Sequence, residues 1–279
     1  MSNIHPTAVV EQGAKLGENI TIEAYAVVKS SVTLEDNVTI KSFAYIDGNT
    51  TIGAGTVIWP SASIGTKPQD LKFQGEETYV IIGKNCEIRE FVTINSSCHE
   101  GSVVRVGDNC LLMAYCHVAH NCEIGNGVIM ANGAMLAGHV IVEDYAIIGG
   151  MTPIHQFCRV GRNAMVGGLS RITHDIPPYT IGAGSLYKVG GLNIIGLKRR
   201  GFSLEERKAL YQAFKITYRL GLSLVDALKM IEDQVPLNEH VSHWISFCRN
   251  SKRGLIGLHN SESSMQDEEE LEEVLEGKL

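Results

Sequence analysis

The segment "LLMAYCHVAHNCEIG", residues 111–125, sets His117 and His120 three apart in a run that is otherwise small and apolar. Imidazole near neutral pH takes or gives a proton, or it ligates a metal. His139 follows in "LAGHV", and His155 with Gln156 in "PIHQF". A lone histidine is usually a satisfied or solvated side chain. These five residues gain meaning only if the fold gathers them, so the elements that carry them decide the matter.

Those elements follow a ruler of six. From Ile4 to Ile64 every sixth residue is Ile, Val or Leu, and from Val106 to Ile172 the same holds with Met130 as the exception. The residue four further on is mostly small or β-branched, as at Ala8, Ala26, Val32 and Ala44. A period of six fits neither a 3.6-residue helix nor an alternating strand. It fits a β-solenoid in which a short strand and a turn recur. The pattern resembles the hexapeptide-repeat proteins, which implies a left-handed parallel β-helix with three hexads, 18 residues, per coil. Coils then stack at ~4.8 Å.

Asp70, Glu76 and Glu100 fall where the ruler would demand core residues. The segments around them read as projecting loops, about 66–81 and 96–105, that leave the phase unchanged. Cys86, Cys110, Cys116, Cys122 and Cys158 occupy the small position and read as core residues. Seven cysteines without a CxxC pair, and no leader or long apolar run, place the chain in the reduced cytoplasm with no integral membrane segment. After "HDIPPYTIGAG" the ruler stops, and a helical pattern begins at the capping box Ser203 and Glu206. Further helices are expected from Ser223 and after Pro236. The expected architecture is mainly β: a β-helix over 1–187, a C-terminal α-helical domain over 188–260, and an acidic tail over 261–279. That tail carries eight acids and one lysine, which accounts for the whole net charge of −7. It reads as disordered. The rest is balanced, which argues against a nucleic-acid partner.

A coil of 18 aligns the histidines. His120 stacks on Gly138 and then Gln156; Asn121 stacks on His139; Ala119 and Ala137 stack on His155. His117 lies near the same edge. His120 is two past the aliphatic slot and should face outward. The five residues therefore gather on one ridge over about three coils, ~10 Å, with Gly and Ala leaving room beside them. A ridge alone makes a poor pocket, so a second subunit is expected to close it, in a threefold assembly.

The segments "LLMAYCHVAHNC", "LAGHV", "IIGGMTPIHQFCRVG", "MVGG" and "NIIGLKRRGF" resemble the acyl-acyl carrier protein:UDP-N-acetylglucosamine O-acyltransferases, first enzymes of lipid A synthesis. The resemblance runs to about residue 260. It implies His120 as general base, the Gly138 N–H as oxyanion donor, and no cofactor, since the acyl donor rides on the phosphopantetheine of acyl carrier protein. It implies substrate contacts at Gln69, Asp70, Lys72, His117, His139, His155 and Gln156. A neighbouring subunit of a homotrimer would add Asn193, Arg199 and Arg200, arginine suiting phosphate through its fork of donors. Gly168 matches the position that limits acyl length, and a glycine there implies a longer chain, on the order of 14 carbons, because no side chain closes the groove. Neither Gly168 nor Asn121 bears on whether that chain is 3-hydroxylated. Asn121 departs from the better-known pattern, which has Asp and so more charge beside the base. Lys198, Arg199, Arg200, Arg207, Lys208, Lys215 and Arg219 offer a surface for the acidic carrier.

Other readings stand beside this one. A γ-carbonic-anhydrase-like hydratase would need His117, His139 and His155 to converge on one zinc; no metal is expected on the main reading. The N-acyltransferase of the same pathway carries an extra N-terminal domain, whereas the hexads here begin at Ile4. A non-enzymatic scaffold would leave the histidine ridge unexplained.

Overall fold

The computed structural model describes residues 2–258, and the acidic tail lies outside that range. Each hexad contributes a two-residue strand whose first side chain faces out and whose second faces in, as in Thr21–Ile22, Val27–Val28 and Thr33–Leu34. The inward Ile22, Val28, Leu34 and their successors are buried in one aliphatic core running the length of the stack. β-Branched residues suit this site because it is a pleated surface packed on one side. Strands 18 residues apart pair in parallel, Thr21 with Asn3 and with Thr39. Three ladders result, forming the sides of a left-handed triangular prism.

The corners need backbone in the left-handed region. Between the third and first sheets that demand falls on Asn19, Asn37, Asn85, Asn109 and Asn163, with φ between 52° and 59°, the non-glycine type that tolerates it best. Between the second and third sheets it falls on Asn121, His139 and Phe157. Corner residues tie successive coils together: the His139 N–H donates to the His120 carbonyl at 3.1 Å.

Both projecting loops leave from the corner between the second and third sheets. The first joins Ser63–Thr66 to Tyr79–Ile82, and the second joins Thr93–Asn95 to Val103–Val106. They are shorter than 66–81 and 96–105, because the strands beyond them lengthen to pair, Tyr79 with Asn49 and Val103 with Tyr79. Val57 pairs with Glu87 and Glu87 with Leu111, offsets of 30 and 24 in place of 18. The excess is two hexads and then one, which is why the ruler keeps its phase. The five cysteines at small positions are core residues, whereas Cys98 sits at the second loop and Cys248 in the helical part.

The end of the prism departs from the repeat. Thr180–Ala183 adds in parallel to Met165–Val166, and Lys188–Leu192 returns antiparallel beside it. This glycine-rich hairpin covers the ladder end that would otherwise be an open edge. Four helices follow: α1 (Ile194–Arg199), α2 (Leu204–Arg219), α3 (Leu224–Gln234) and α4 (Glu239–Arg249). Ser203 and Glu206 make both halves of the capping box at α2. Helices α2, α3 and α4 pack around Trp244, which is fully buried and donates from Nε1 to Thr217 Oγ1 at 3.2 Å. Arg207 is buried in this cap, with Nε donating to the Ser203 carbonyl, so it does not belong to an exposed basic surface.

Helix α4 is fastened to the prism by Glu143, which accepts from His243 Nε2 at 2.8 Å and pairs with Arg159 at 3.3 Å. The Arg159 guanidinium in turn lies 4.0 Å over the Phe247 ring. Among the described residues no helix is long and apolar enough to cross a membrane.

Candidate active site

His120 stands on the corner between the second and third sheets, in the coil directly after the two that carry the loops. Its ring lies flat over Gly138, one coil on: a methyl group built at Gly138 would sit 2.5 Å from Nε2. Only glycine leaves room for the ring there. The Gly138 N–H finds no acceptor among the described residues.

The ring is oriented from its other side. Asn121 Oδ1 lies 2.9 Å from His120 Nδ1 and accepts the Cys98 thiol at 2.9 Å. An oxygen that already receives S–H also receives the Nδ1 proton, which leaves Nε2 with its lone pair free. That nitrogen points toward Asp70, whose Oδ2 is 3.8 Å away. The Lys72 backbone N–H donates to the other carboxylate oxygen at 2.9 Å. This bond, with the Lys72 charge adding to it, holds the Asp70 carboxyl below its usual range despite some burial. Asp70 is thus ionised at neutral pH and faces the nitrogen that would take a proton.

The two loops hold these groups through each other. The Ser96 N–H donates to the Thr66 carbonyl at 2.8 Å, and the Gly101 N–H to the Glu77 carbonyl at 2.8 Å. Ser102 Oγ accepts from the His99 N–H at 3.0 Å and donates to Ser97 Oγ at 2.8 Å, which closes the turn that presents Cys98 and His99. His139 packs edge-on against His120 with ring centres 5.2 Å apart, and stacks on Phe157 at 4.7 Å. Burial first, and then the neighbouring His120 and His99, push the His139 pKa down. His139 is therefore a neutral wall of the site at physiological pH.

Not every predicted residue joins this group. His117 Nδ1 is 2.7 Å from Thr93 Oγ1 on the outer side of the second sheet, and burial lowers its pKa. His155 and Gln156 are exposed two coils beyond His120, with His155 Nδ1 turned to the Gln156 carbonyl at 3.2 Å. Gln69 and Lys72 are exposed on the first loop. Asn193 is 8% exposed and already engaged as the α1 N-cap: Oδ1 accepts from the Gly196 N–H at 3.1 Å and Nδ2 donates to the Asn163 carbonyl at 3.0 Å. Its amide helps hold α1 within the chain. The Arg200 guanidinium lies 3.8 Å over the Tyr145 ring, at the corner between the third and first sheets, a different corner from that of His120. Arg199 is exposed beside it. Gly168 is exposed near the corner between the first and second sheets. Sequence reasoning missed Cys98 and His99, which lie in the second loop and carry no motif.

Comparison with known proteins bears on this arrangement. The model of bacterial transferase hexapeptide repeats matches residues 31–66 and 104–138, and the model of UDP-N-acetylglucosamine O-acyltransferase domain 2 matches residues 175–256. The acyl-[acyl-carrier-protein]–UDP-N-acetylglucosamine O-acyltransferase of Chlamydia abortus (strain DSM 27085 / S26/3) is 59% identical over 256 residues, 91% of this chain and 92% of its own. This chain belongs to that family of O-acyltransferases. The family member of Aliarcobacter butzleri (strain RM4018) is 45% identical over 91% of this chain and 98% of its own. Among solved structures, the UDP-N-acetylglucosamine acyltransferase from Bacteroides fragilis 9343 superposes with a TM-score of 0.89 at 43% identity, covering 91% of this chain and 99% of that one. The Arabidopsis enzyme does so with a TM-score of 0.79 at 34% identity, over 91% and 99%. Family membership makes the chain an enzyme, and it favours O-acyl transfer over the hydratase and over the N-acyltransferase. The hydratase reading also loses its geometry, since His117, His139 and His155 form no metal-sized group among the described residues.

Proposed function

We propose that this protein transfers a long acyl chain, about 14 carbons where glycine keeps the groove open, from acyl carrier protein to the 3-hydroxyl of UDP-N-acetylglucosamine. His120 is the general base. One observation carries the reading: an outward imidazole fixed at Nδ1 by Asn121, lying over the Cα of Gly138, with Nε2 free and a carboxylate 3.8 Å beyond. A sugar hydroxyl about 2.8 Å from Nε2 would donate its one proton to that nitrogen, an ordinary hydrogen-bond contact.

The sugar oxygen attacks the thioester carbonyl while its proton passes to Nε2. The Gly138 N–H receives the oxyanion as it forms. Asp70 stabilises the imidazolium, supplying charge that a neutral Asn121 does not. Collapse breaks the C–S bond, and the imidazolium protonates the departing phosphopantetheine thiolate. No acyl-enzyme and no bound cofactor is required; the phosphopantetheine arrives with the carrier.

The site is completed by a homotrimer. Arg199 and Arg200 lie at another corner of the prism and would meet the nucleotide phosphates only from a neighbouring subunit. An apolar surface supports such packing: Tyr25 stacks on Phe43 and Phe91 on Tyr115 along one corner, continued by exposed Met151 and Leu169. Leu111, Ile129, Ile147 and Met165 face outward on the adjoining sheet. The protein works in the cytoplasm, where seven unpaired thiols stay reduced.

An acyl-transfer assay with UDP-N-acetylglucosamine and a panel of acyl carriers tests the reading. The wild type should acylate the sugar nucleotide, with longest-chain donors preferred. His120→Ala should lower kcat by about 10²–10⁴-fold while folding and assembly persist; near-normal turnover would remove His120 as the base.

A further inference from the structure

The second loop brings a thiol to the base, and the family reading has no use for it. Cys98 is 4% exposed, with Sγ 3.3 Å from His120 Nδ1 and 3.8 Å from His99 Nε2. One donor atom from each of Cys98, His120 and His139 lies within 4.8 Å of the other two. A tetrahedral zinc ion with Zn–S near 2.3 Å and Zn–N near 2.0–2.1 Å sets its S and N ligands about 3.6 Å apart. The two sulfur–nitrogen separations bracket that distance.

We propose that Cys98 Sγ, His120 Nδ1 and a ring nitrogen of His139, joined by His99 turning in from outside that group beside Cys98, form a site for a zinc-type divalent cation that silences the enzyme. The silencing half rests on His120 being the base; the binding half does not. The metal takes the Nδ1 lone pair, so the ring proton resides on Nε2 and the imidazole stays neutral. The thiol proton leaves to solvent as the thiolate binds. Nε2 then donates where catalysis needs it to accept. The same histidine serves either as base or as ligand, and Asn121, which accepts from both Cys98 and His120 in the metal-free arrangement, holds the catalytic alternative.

Cobalt(II) is the probe for binding. The purified enzyme should take up one Co²⁺ per chain, showing tetrahedral visible bands and a near-ultraviolet thiolate-to-metal band, both bleached by one equivalent of Zn²⁺. The other six thiols lie within the cores of the prism and cap, so this band reports Cys98. Cys98→Ala should abolish the charge-transfer band and weaken binding about 100-fold, and His99→Ala should weaken it about tenfold with the thiolate band retained. Zn²⁺ should inhibit acyl transfer by the wild type, and the Zn²⁺ needed for half-inhibition should rise in step with the binding constants of the two variants. No thiolate band, or a band unchanged in Cys98→Ala, overturns the site. Stoichiometric binding with undiminished turnover overturns the silencing. A preparation that binds cobalt as expected but acylates nothing without metal would count against the acyltransfer reading and leave the site standing.

Discussion

Asn121 and Gly138 set His120 between them: one fixes the proton on Nδ1, and the other lets the ring lie down. Replacing Asn121 by Asp sets a full negative charge 2.9 Å from Nδ1. A carboxylate there favours the imidazolium, so protonation should compete with catalysis at higher pH. The acid limb of the kcat/KM profile of Asn121→Asp is expected to move to higher pH; an unmoved limb would mean that Asn121 is not bonded to the base. Gly138→Ala is expected to push the ring aside and cost about 100-fold in kcat, the usual effect of misplacing a catalytic group by an ångström. A circular-dichroism melt unchanged from wild type would show that the loss is local.

The strands and corners were legible because the repeat is rigid. A side chain two past the aliphatic slot cannot point inward, which put His120, Gly138 and His139 on one ridge from spacing alone. The loop residues were not legible in that way. Cys98 and His99 belong to no repeat, and their place over Asn121 depends on hydrogen bonds such as that from Ser96 to Thr66, which no periodicity announces. Asp70 was reachable only through resemblance. The closing hairpin over 180–192 escaped notice because its glycines break the ruler while its backbone still pairs.

The junction with α4 depends on one acid. Burial alone would raise the Glu143 pKa, but the His243 ring, the Arg162 N–H and the Arg159 guanidinium outweigh it and hold the carboxyl below 4.5. A depressed carboxyl contributes stability above its unfolded pKa and loses it as pH falls through the folded one. Glu143→Gln is therefore expected to lower unfolding free energy by about 2 kcal/mol at pH 7, the worth of a hydrogen bond to a charged group. Urea melts at stepped pH should show the gap between wild type and variant closing below about pH 4.5.

On the proposed reading the prism is incomplete as a catalyst until a neighbour meets it. The ladder of Tyr115, Met151 and Leu169, 63%, 59% and 75% exposed, is too apolar to face water along a whole corner. Tyr115→Asp combined with Met151→Asp should leave each prism folded, since neither side chain enters the core. Light scattering is expected to report monomers in place of trimers, with acyl transfer lost although His120 is untouched. A trimeric, active double variant would move the subunit contact elsewhere.

Both overhangs above His120 are whole multiples of the winding unit, two units and then one. Trimming the first by twelve residues, or the second by six, would return the polypeptide to an ordinary corner, with every aliphatic plug still in its seat. The scaffold thus separates two design problems. Its barrel of plugs can be inherited unchanged, while the awning that shades the base can be lengthened, shortened or exchanged in fixed increments, carrying new chemistry to the same imidazole.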